Sequence, residues 1–176
     1  MSNASSPNQG VKWGLIAGGI GIIAGLAFYF INPIKLQSLL FGGIELAATA
    51  VCAFLAGLER RKAYGGKIEF KTALQPIFTT FVISMLIGII FTYVMFNFVD
   101  PSLVEQMKQA HIADVKDMKN LYKALGYTES DYNTELKQAE TGEYGVTIAG
   151  SVINYLQKLI KSFILSAILS LIVRRK

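Results

Sequence analysis

The stretch TIAGSVINYLQKLIKSFILSAILSLIV, residues 147–173, decides the fold class of this chain. At ~1.5 Å of rise per residue, a helix of this length crosses the ~30 Å hydrocarbon core of a bilayer. Its first half nevertheless contains Asn154, Gln157, Lys158 and Lys161. Charges at such depth are costly, so they need a partner, water or a shallow position. The main question about function is therefore which groups surround the two lysines.

Composition already indicates a membrane protein. The 176 residues are 52% hydrophobic and only 16% charged, whereas soluble domains are about 25% charged. The net charge of +5 comes mostly from basic residues at the ends of apolar segments, where lipid headgroups and membrane insertion explain them. Because no basic patch with interleaved aromatic residues occurs, nucleic acid is not an expected partner. The expected partners are the lipid bilayer and either another membrane protein or further copies of this chain.

Three more apolar segments precede the opening stretch, at about residues 13–31, 36–58 and 72–99. The first two are joined by a short connection, which predicts an antiparallel helical hairpin. Small residues recur at helical spacing in all four segments, and such rows let helix backbones approach closely in a membrane. The predicted packing rows are Gly14 and Gly18; Gly43, Ala47 and Ala50; Ser84 and Gly88; and Ser162, Ser166 and Ser170. Aromatic residues near the end of the third segment predict an interfacial belt: Phe91, Tyr93, Phe96 and Phe98.

Basic residues set the predicted orientation. The connection at residues 59–71 contains five of them around the turn at Gly65 and Gly66, which indicates a cytoplasmic loop. The chain ends on a further basic triplet. The topology anchors are Arg60, Arg61 and Lys62 in the loop, and Arg174, Arg175 and Lys176 at the end. We expect a multi-pass protein of the bacterial inner (cytoplasmic) membrane with both termini in the cytoplasm and residues 100–146 in the periplasm.

Residues 100–146 have the pattern of a water-exposed helical insertion. Apolar residues recur every three or four positions between 103 and 125, which predicts an amphipathic helix ending at Gly126. Thr128 with Asp131 is typical of a capping box that starts a second helix. The insertion carries nine acidic residues and five lysines, so it lacks the basic bias of residues 59–71.

These segments predict an all-α fold: four transmembrane helices in a bundle, with an extracytoplasmic helical hairpin between helices three and four. The predicted parts are a disordered cytoplasmic tail (1–11), transmembrane helices one to three (12–99), the insertion (100–146), and helix four with its basic end (147–176). The sequence contains no catalytic motif, cofactor fingerprint or metal-binding cluster. We therefore expect neither an enzyme nor a cofactor-binding protein.

Four short motifs resemble a bacterial membrane family catalogued as domain of unknown function forty-one ninety-nine. They are Lys12-Trp13-Gly14-Leu15-Ile16-Ala17-Gly18, Gly65-Gly66-Lys67-Ile68-Glu69-Phe70, Phe96-Asn97-Phe98-Val99-Asp100-Pro101 and Val104-Glu105-Gln106-Met107. The resemblance covers most of the chain. It implies a four-helix inner-membrane protein with an extracytoplasmic insertion between helices three and four. It implies no activity, and it transfers no functional residue.

Counting along the helices places the intramembrane charges in one layer. Glu45 lies thirteen residues from Leu58, and Lys161 lies twelve residues from Val173. These counts put Glu45 roughly 20 Å, Lys161 about 18 Å and Lys158 about 22 Å above the cytoplasmic boundary. All three are thus predicted to share the outer half of the membrane.

Asn154 lies on the same helix face as Lys158 and Lys161, so these residues and Glu45 form a predicted intramembrane polar cluster. Within it, Glu45 is expected to pair with Lys161 or Lys158. Two alternatives remain open. The lysines could extend to the outer headgroups, or acidic residues of the insertion such as Asp100 or Glu105 could cover them.

Two functions are open on this basis. The first is a structural or accessory membrane component that acts by helix packing and partner binding. The second is a small transporter or ion-translocating protein that uses Glu45, Lys158 and Lys161. The second lacks the inverted repeat and broken helices common in transporters. A water-accessible cavity around the three charged residues would favour transport, whereas a dry helix contact would favour the accessory component.

Overall fold

The computed structural model describes residues 8–174, and these contain seven α-helices. The helices are α1 Gln9–Ile31, α2 Leu39–Ala63, α3 Phe70–Val94, α4 Leu103–Asp117, α5 Lys119–Ala124, α6 Glu129–Thr141 and α7 Ile148–Val173. A 3₁₀ helix, Pro33–Gln37, joins α1 to α2, and a π-helix, Met95–Val99, follows α3. The predicted all-α fold is confirmed.

Four helical segments are long and apolar enough to cross a membrane: Gln9–Ile31, Leu40–Ala63, Phe70–Val99 and Ile148–Val173. They match the four segments predicted from the sequence and indicate a multi-pass membrane protein. The described chain divides into two compact units. The first contains the residues up to Thr92 together with those from Ile148 onward, and the second is Tyr93–Thr147.

Helix α1 begins earlier than predicted. Residues 9–11, expected to belong to a disordered tail, form its first turn. Asn8 explains the early start, because its side-chain oxygen accepts a hydrogen bond from the Gly10 N–H at 3.2 Å. An asparagine at this position satisfies one of the N–H groups that a helix start leaves without a partner. The rest of the predicted tail, residues 1–7, lies outside the described residues.

Helix α1 packs against α3 through a row of glycines. A β-carbon on Gly14 would lie 2.6 Å from Ile83 Cβ, and one on Gly18 would lie 2.9 Å from Ile87 Cβ. No residue with a side chain fits at these separations unless the helices move apart. The glycine row predicted in the first segment is therefore a helix-packing face.

The predicted antiparallel hairpin of α1 and α2 is held together at both ends. At one end the Trp13 indole N–H donates a hydrogen bond to Glu59 Oε2 at 2.7 Å. Lys12 forms an ion pair with the same carboxylate at 3.1 Å. At the other end the rings of Phe28 and Phe41 have centroids 5.3 Å apart.

Fully buried side chains form a core between α2, α3 and α7. Ile77, Phe81 and Val173 are inaccessible to solvent there. Ser166 and Ser170 of α7 are also buried, and their hydroxyls donate to backbone carbonyls one turn earlier in the same helix. These hydrogen bonds satisfy polar groups away from water, so the serine row functions as the close-packing face that its spacing predicts.

The predicted packing row of α2 is wrong in its first half. Gly43 and Ala47 are exposed, and a β-carbon on Gly43 would meet no atom within 4 Å. The small residues that pack lie further along the helix, at Ala53, Ala56 and Gly57. A β-carbon on Gly57 would lie 2.8 Å from Ile77 Cδ1, so this end of α2 makes the close approach.

Three chain segments meet at one end of the first unit. Arg60 donates to Gln9 Oε1 at 3.3 Å, which connects the end of α2 to the start of α1. Arg61 donates to the carbonyl of Val173 at 3.3 Å, which connects α2 to the end of α7. The start of α1, the α2–α3 connection and the end of α7 therefore share one end of the bundle. The α2–α3 connection turns at Gly65 and Gly66, whose φ angles are 72° and 91°.

Replacing Arg61 with alanine is expected to destabilise the protein by about 1 kcal/mol, because the last carbonyls of α7 lose a charged donor. Lys62→Ala is the matched control: it removes the same charge from the neighbouring exposed position. Unfolding in detergent, followed by the fluorescence of the single tryptophan, Trp13, measures both. An equal loss in the two variants would show that loop charge, not the contact with Val173, causes the effect.

The second unit contains α4, α5 and α6. The amphipathic stretch 103–125, predicted as one helix, is two helices separated at Met118. The insertion is thus three helices and not the predicted hairpin of two. A buried cluster of Ile112, Val115, Tyr132 and Ala139 joins α4 to α6. Gly126 follows α5 with a φ of 87°, so it supplies the left-handed helix stop expected at this position.

Helix α6 begins at the predicted capping box. The Thr128 hydroxyl accepts from the Asp131 N–H at 3.2 Å, and the Asp131 carboxylate accepts from the Thr128 N–H at 2.9 Å. The carboxylate also accepts from the Thr128 hydroxyl at 2.7 Å. These hydrogen bonds favour the ionised carboxylate, so they lower the pKa of Asp131.

Candidate functional site

A cavity of about 320 Å³ lies among α1, α2, α3 and α7. Its lining contains three charged residues: Glu45 from α2, and Lys158 and Lys161 from α7. Four neutral hydroxyl-bearing residues also line it: Thr49, Ser84, Thr92 and Ser162. The apolar walls include Phe41, Leu46, Met85, Ile89, Phe91 and Leu165. Charged groups and an apolar wall therefore face one space inside the predicted membrane span.

Glycines of two neighbouring helices lie beside the Glu45 carboxyl group. A β-carbon on Gly88 of α3 would lie 2.7 Å from Glu45 Oε1, and one on Gly21 of α1 would lie 3.6 Å from it. At the first separation a side chain would displace the carboxyl group, whereas the second is an ordinary van der Waals contact. Gly88 thus allows the carboxyl group to lie directly against α3.

The hydroxyl groups of the lining are held by hydrogen bonds. Thr49 and Ser84 bond to each other at 3.0 Å across the buried contact of α2 and α3. Thr92 donates to the Gly88 carbonyl at 3.0 Å, and Ser162 donates to the Leu159 carbonyl at 2.9 Å. A hydroxyl that donates to a carbonyl keeps its acceptor lone pairs. The wall can therefore still accept hydrogen bonds from a bound molecule or from water.

The three charged groups of the cavity make no ion pair with one another in the described chain. The ion pairs found within residues 8–174 include Lys12–Glu59, Lys119–Glu129 and Lys123–Glu129, and none of them involves these three residues. Nor does any side-chain hydrogen bond found in this range join Glu45, Lys158 or Lys161 to another residue. Charges at membrane depth that lack a partner among the described residues need water or a bound molecule.

The structure brings together most of the predicted polar cluster. Glu45, Lys158 and Lys161 face the same cavity, as the depth count predicts. Asn154 is exposed on α7 and is not among the residues that line the cavity. The three charged residues border a cavity that is open where the exposed lysines lie, instead of closing on one another as a helix-to-helix tie.

The topology anchors have separate structural roles. Arg60 and Arg61 make the contacts with Gln9 and Val173 described above, and Lys62 is exposed. Arg174 follows the last turn of α7, where its N–H donates to the Ser170 carbonyl at 2.9 Å. Arg175 and Lys176 lie outside the described residues.

Several cavity residues were not recognised from the sequence as part of a site. Thr49 lies one helical turn after Glu45, a spacing that could have marked it. Ser84 and Gly88 were expected only to pack helices, and Phe91 was expected in an aromatic belt. Phe91 instead lines the cavity, and its ring lies 2.5 Å from a β-carbon built on Gly25.

The fold and the cavity define a multi-pass helical membrane protein with charged residues lining a cavity between its helices. The chain belongs to the family described as "Protein of unknown function (DUF4199)", whose profile matches residues 12–175. This match confirms the resemblance carried by the four short motifs. No curated protein and no solved structure matches the chain.

Proposed function

We propose that this protein is a small transporter that moves an ion or small solute across the membrane through the cavity. The observation that carries the proposal is the lining by Glu45, Lys158 and Lys161, which border an open space without pairing to each other. Polar residues inside a span are costly and mark solute and ion pathways in membrane proteins. A purely structural tie would pair these charges.

The cavity wall combines polar and apolar side chains, which suits the transport of a solute. The hydroxyls of Thr49, Ser84 and Ser162 supply hydrogen-bonding positions beside the charges, while aromatic and aliphatic residues form the rest of the wall. Cavities of this kind between helices are common sites for small molecules. A volume of about 320 Å³ is near the lower end of the range typical of ligand pockets, which favours a small solute.

The orientation proposed from the loop charges has structural support. Two hydrogen bonds, from Arg60 to Gln9 and from Arg61 to Val173, connect the basic end of α2 to the start of α1 and to the end of α7. These three segments therefore lie at one end of the bundle. Under the positive-inside rule this end is cytoplasmic. We place the protein in the bacterial inner membrane with both termini in the cytoplasm and residues 100–146 in the periplasm.

Ion movement in proteoliposomes tests the proposal. Purified protein is reconstituted, a membrane potential is imposed, internal dyes report protons, sodium and chloride, and radiolabelled octanoate and octylammonium report organic ions. Glu45→Gln is expected to lower protein-dependent flux by about tenfold, which corresponds to ~1.4 kcal/mol in the barrier. Glu69→Gln is the matched control, because Glu69 is exposed in the α2–α3 connection and outside the cavity. No flux above empty liposomes would reject transport, and equal flux in both variants would reject a role for Glu45 in it.

Partner binding as an accessory component is the second candidate, and the second unit favours it. Met118, Leu121, Leu125 and Tyr127 lie close together in sequence around α5, and each is between 44% and 66% exposed. Exposed apolar clusters of this kind mark interaction surfaces. The partner is another membrane protein or a second copy of the chain. Cross-linking in native membranes, compared between the wild type and Leu121→Ser/Leu125→Ser, tests it. An unchanged pattern would exclude this surface.

A further inference from the structure

The charges lining the cavity do not balance. Lys158 and Lys161 carry two positive formal charges against the single negative charge of Glu45, and the other lining residues are neutral. The formal net charge of the lining is therefore +1. An uncompensated charge inside the membrane is unfavourable, and one bound monoanion would neutralise it.

The two lysines are arranged to hold one anionic group. They lie three residues apart on α7, so their side chains project from the same helix face. Both are exposed and both line the cavity, which puts them at its open side. Two ammonium groups that donate to one carboxylate or phosphate make strong, charge-assisted hydrogen bonds.

The wall of the cavity suits an apolar molecular body. Leu46, Ile89, Phe91 and Leu165 line the same space as the lysines. A fully hydrated inorganic anion would leave these surfaces without a matching partner, whereas an alkyl or aromatic body would pack on them. The lining thus combines a site for one negative charge with an apolar wall.

We propose that the cavity binds a small organic monoanion with an apolar body, its acidic group held by Lys158 and Lys161. This inference rests on the proposed transport function and names the class of its substrate. Glu45 repels a second negative charge, so it limits the ligand to a single one. The same chemistry occurs in a free organic acid and in the headgroup of an anionic lipid.

Calorimetric titration of the full-length protein in nanodiscs of zwitterionic lipid tests the proposal. The probes are octanoate, octylammonium and octanol, which share one alkyl chain and differ in charge; empty nanodiscs correct for partitioning. Octanoate is expected to bind and the other two are not. Lys158→Met/Lys161→Met should weaken octanoate binding by at least about tenfold, or ~1.4 kcal/mol. Lys67→Met/Lys71→Met is the matched control, because Lys67 lies in the α2–α3 connection, Lys71 lies in the first turn of α3, and both are exposed.

The effect of Glu45→Gln on binding shows whether the ligand is an anion or a cation. Removing the negative charge should tighten octanoate binding, since the carboxylate repels it. Tight binding of octylammonium that is lost in Glu45→Gln would overturn the inference and leave transport standing, with a cation as substrate. Binding of none of the three probes would also overturn it, and the liposome flux decides transport independently. Trp13 fluorescence and the melting temperature without ligand verify that each variant is folded.

The two sources of the anion are distinguished by lipid composition. Native mass spectrometry compares the wild type with Lys158→Met/Lys161→Met after reconstitution in phosphatidylglycerol-containing nanodiscs. A lipid ligand predicts a phosphatidylglycerol that is retained only by the wild type and displaced by octanoate. A free organic acid predicts equal octanoate affinity with and without phosphatidylglycerol. Lipid retention that is equal in both proteins, together with octanoate binding insensitive to the double variant, would reject the lysine site.

Discussion

Replacing Gly18 with alanine is expected to destabilise the four-helix unit, while the same change at the neighbouring Gly19 is not. A β-carbon at Gly18 would lie 2.5 Å from Ile87 Cδ1 and 2.9 Å from Ile87 Cβ. The second atom is attached directly to the backbone of α3, so rotation of the Ile87 side chain cannot relieve the clash. At Gly19 a β-carbon would meet nothing within 4 Å.

The size of the stability loss expected for Gly18→Ala follows from how helices associate in a membrane. Apolar side chains gain little by leaving lipid for a protein interior, so close backbone approach provides much of the association energy of such helices. Forcing an extra methyl group into a packed contact costs about 1–3 kcal/mol. Gly19→Ala should instead change stability by no more than about 1 kcal/mol, in the stabilising direction, because alanine is the better helix former.

Detergent unfolding followed by Trp13 fluorescence measures both variants, since the tryptophan lies in the same helix as the two glycines. The adjacent positions share lipid depth, helix and substitution, so only the contact with α3 differs. A Gly18→Ala protein as stable as Gly19→Ala would show that α1 and α3 do not need this close approach.

Much of the fold could be predicted because transmembrane helices have strong sequence signals. Long apolar segments give the spans, and the pattern at Gly14 and Gly18 correctly marked a packing face of α1, which lies against α3. The same reasoning failed at Gly43 and Ala47, which are exposed. Lipid and protein interior are both apolar, so a row of small residues alone does not tell a packed face from a lipid-facing one.

The second unit was predicted in outline but not in detail. Gly126 and the Thr128–Asp131 capping box were recognised because their local chemistry needs no distant contact. The break at Met118 was missed, because the apolar spacing continues across it and only the three-dimensional contacts of α4 and α6 show where the helix ends. Local signals therefore located helix ends better than they located interruptions.

The sequence predicted which charged residues lie at the same depth, but it did not predict that they line a cavity. Counting residues placed Glu45, Lys158 and Lys161 in one layer, and all three line the cavity. Whether such groups pair or stand apart depends on helix separation and side-chain rotamers, which the sequence does not display. The glycine that accommodates the Glu45 carboxyl group belongs to α3, a helix that carries no charged residue of this cluster.

Gly88→Ala is expected to give a folded protein that transports poorly. A β-carbon at Gly88 would lie 2.7 Å from Glu45 Oε1, and this oxygen is the far end of a flexible side chain. The carboxyl group can therefore move away without separating the helices, so stability should change by less than about 1 kcal/mol. The displaced carboxylate leaves its position in the cavity lining, and flux in proteoliposomes should fall by about tenfold, as in Glu45→Gln.

Gly21→Ala is the control for this variant, because its β-carbon would lie 3.6 Å from the same oxygen. It makes the same substitution against the same carboxyl group and leaves that group in place, so its flux should match the wild type. Equal flux in Gly88→Ala and Gly21→Ala would mean that transport does not depend on where the Glu45 carboxylate lies. If flux falls in Gly88→Ala alone and the melting temperature is unchanged, the loss of transport is due to the displaced carboxylate and not to a less stable bundle. Gly18→Ala should show the opposite combination, with lowered stability and an intact carboxylate, because its clash is with Ile87 and not with Glu45.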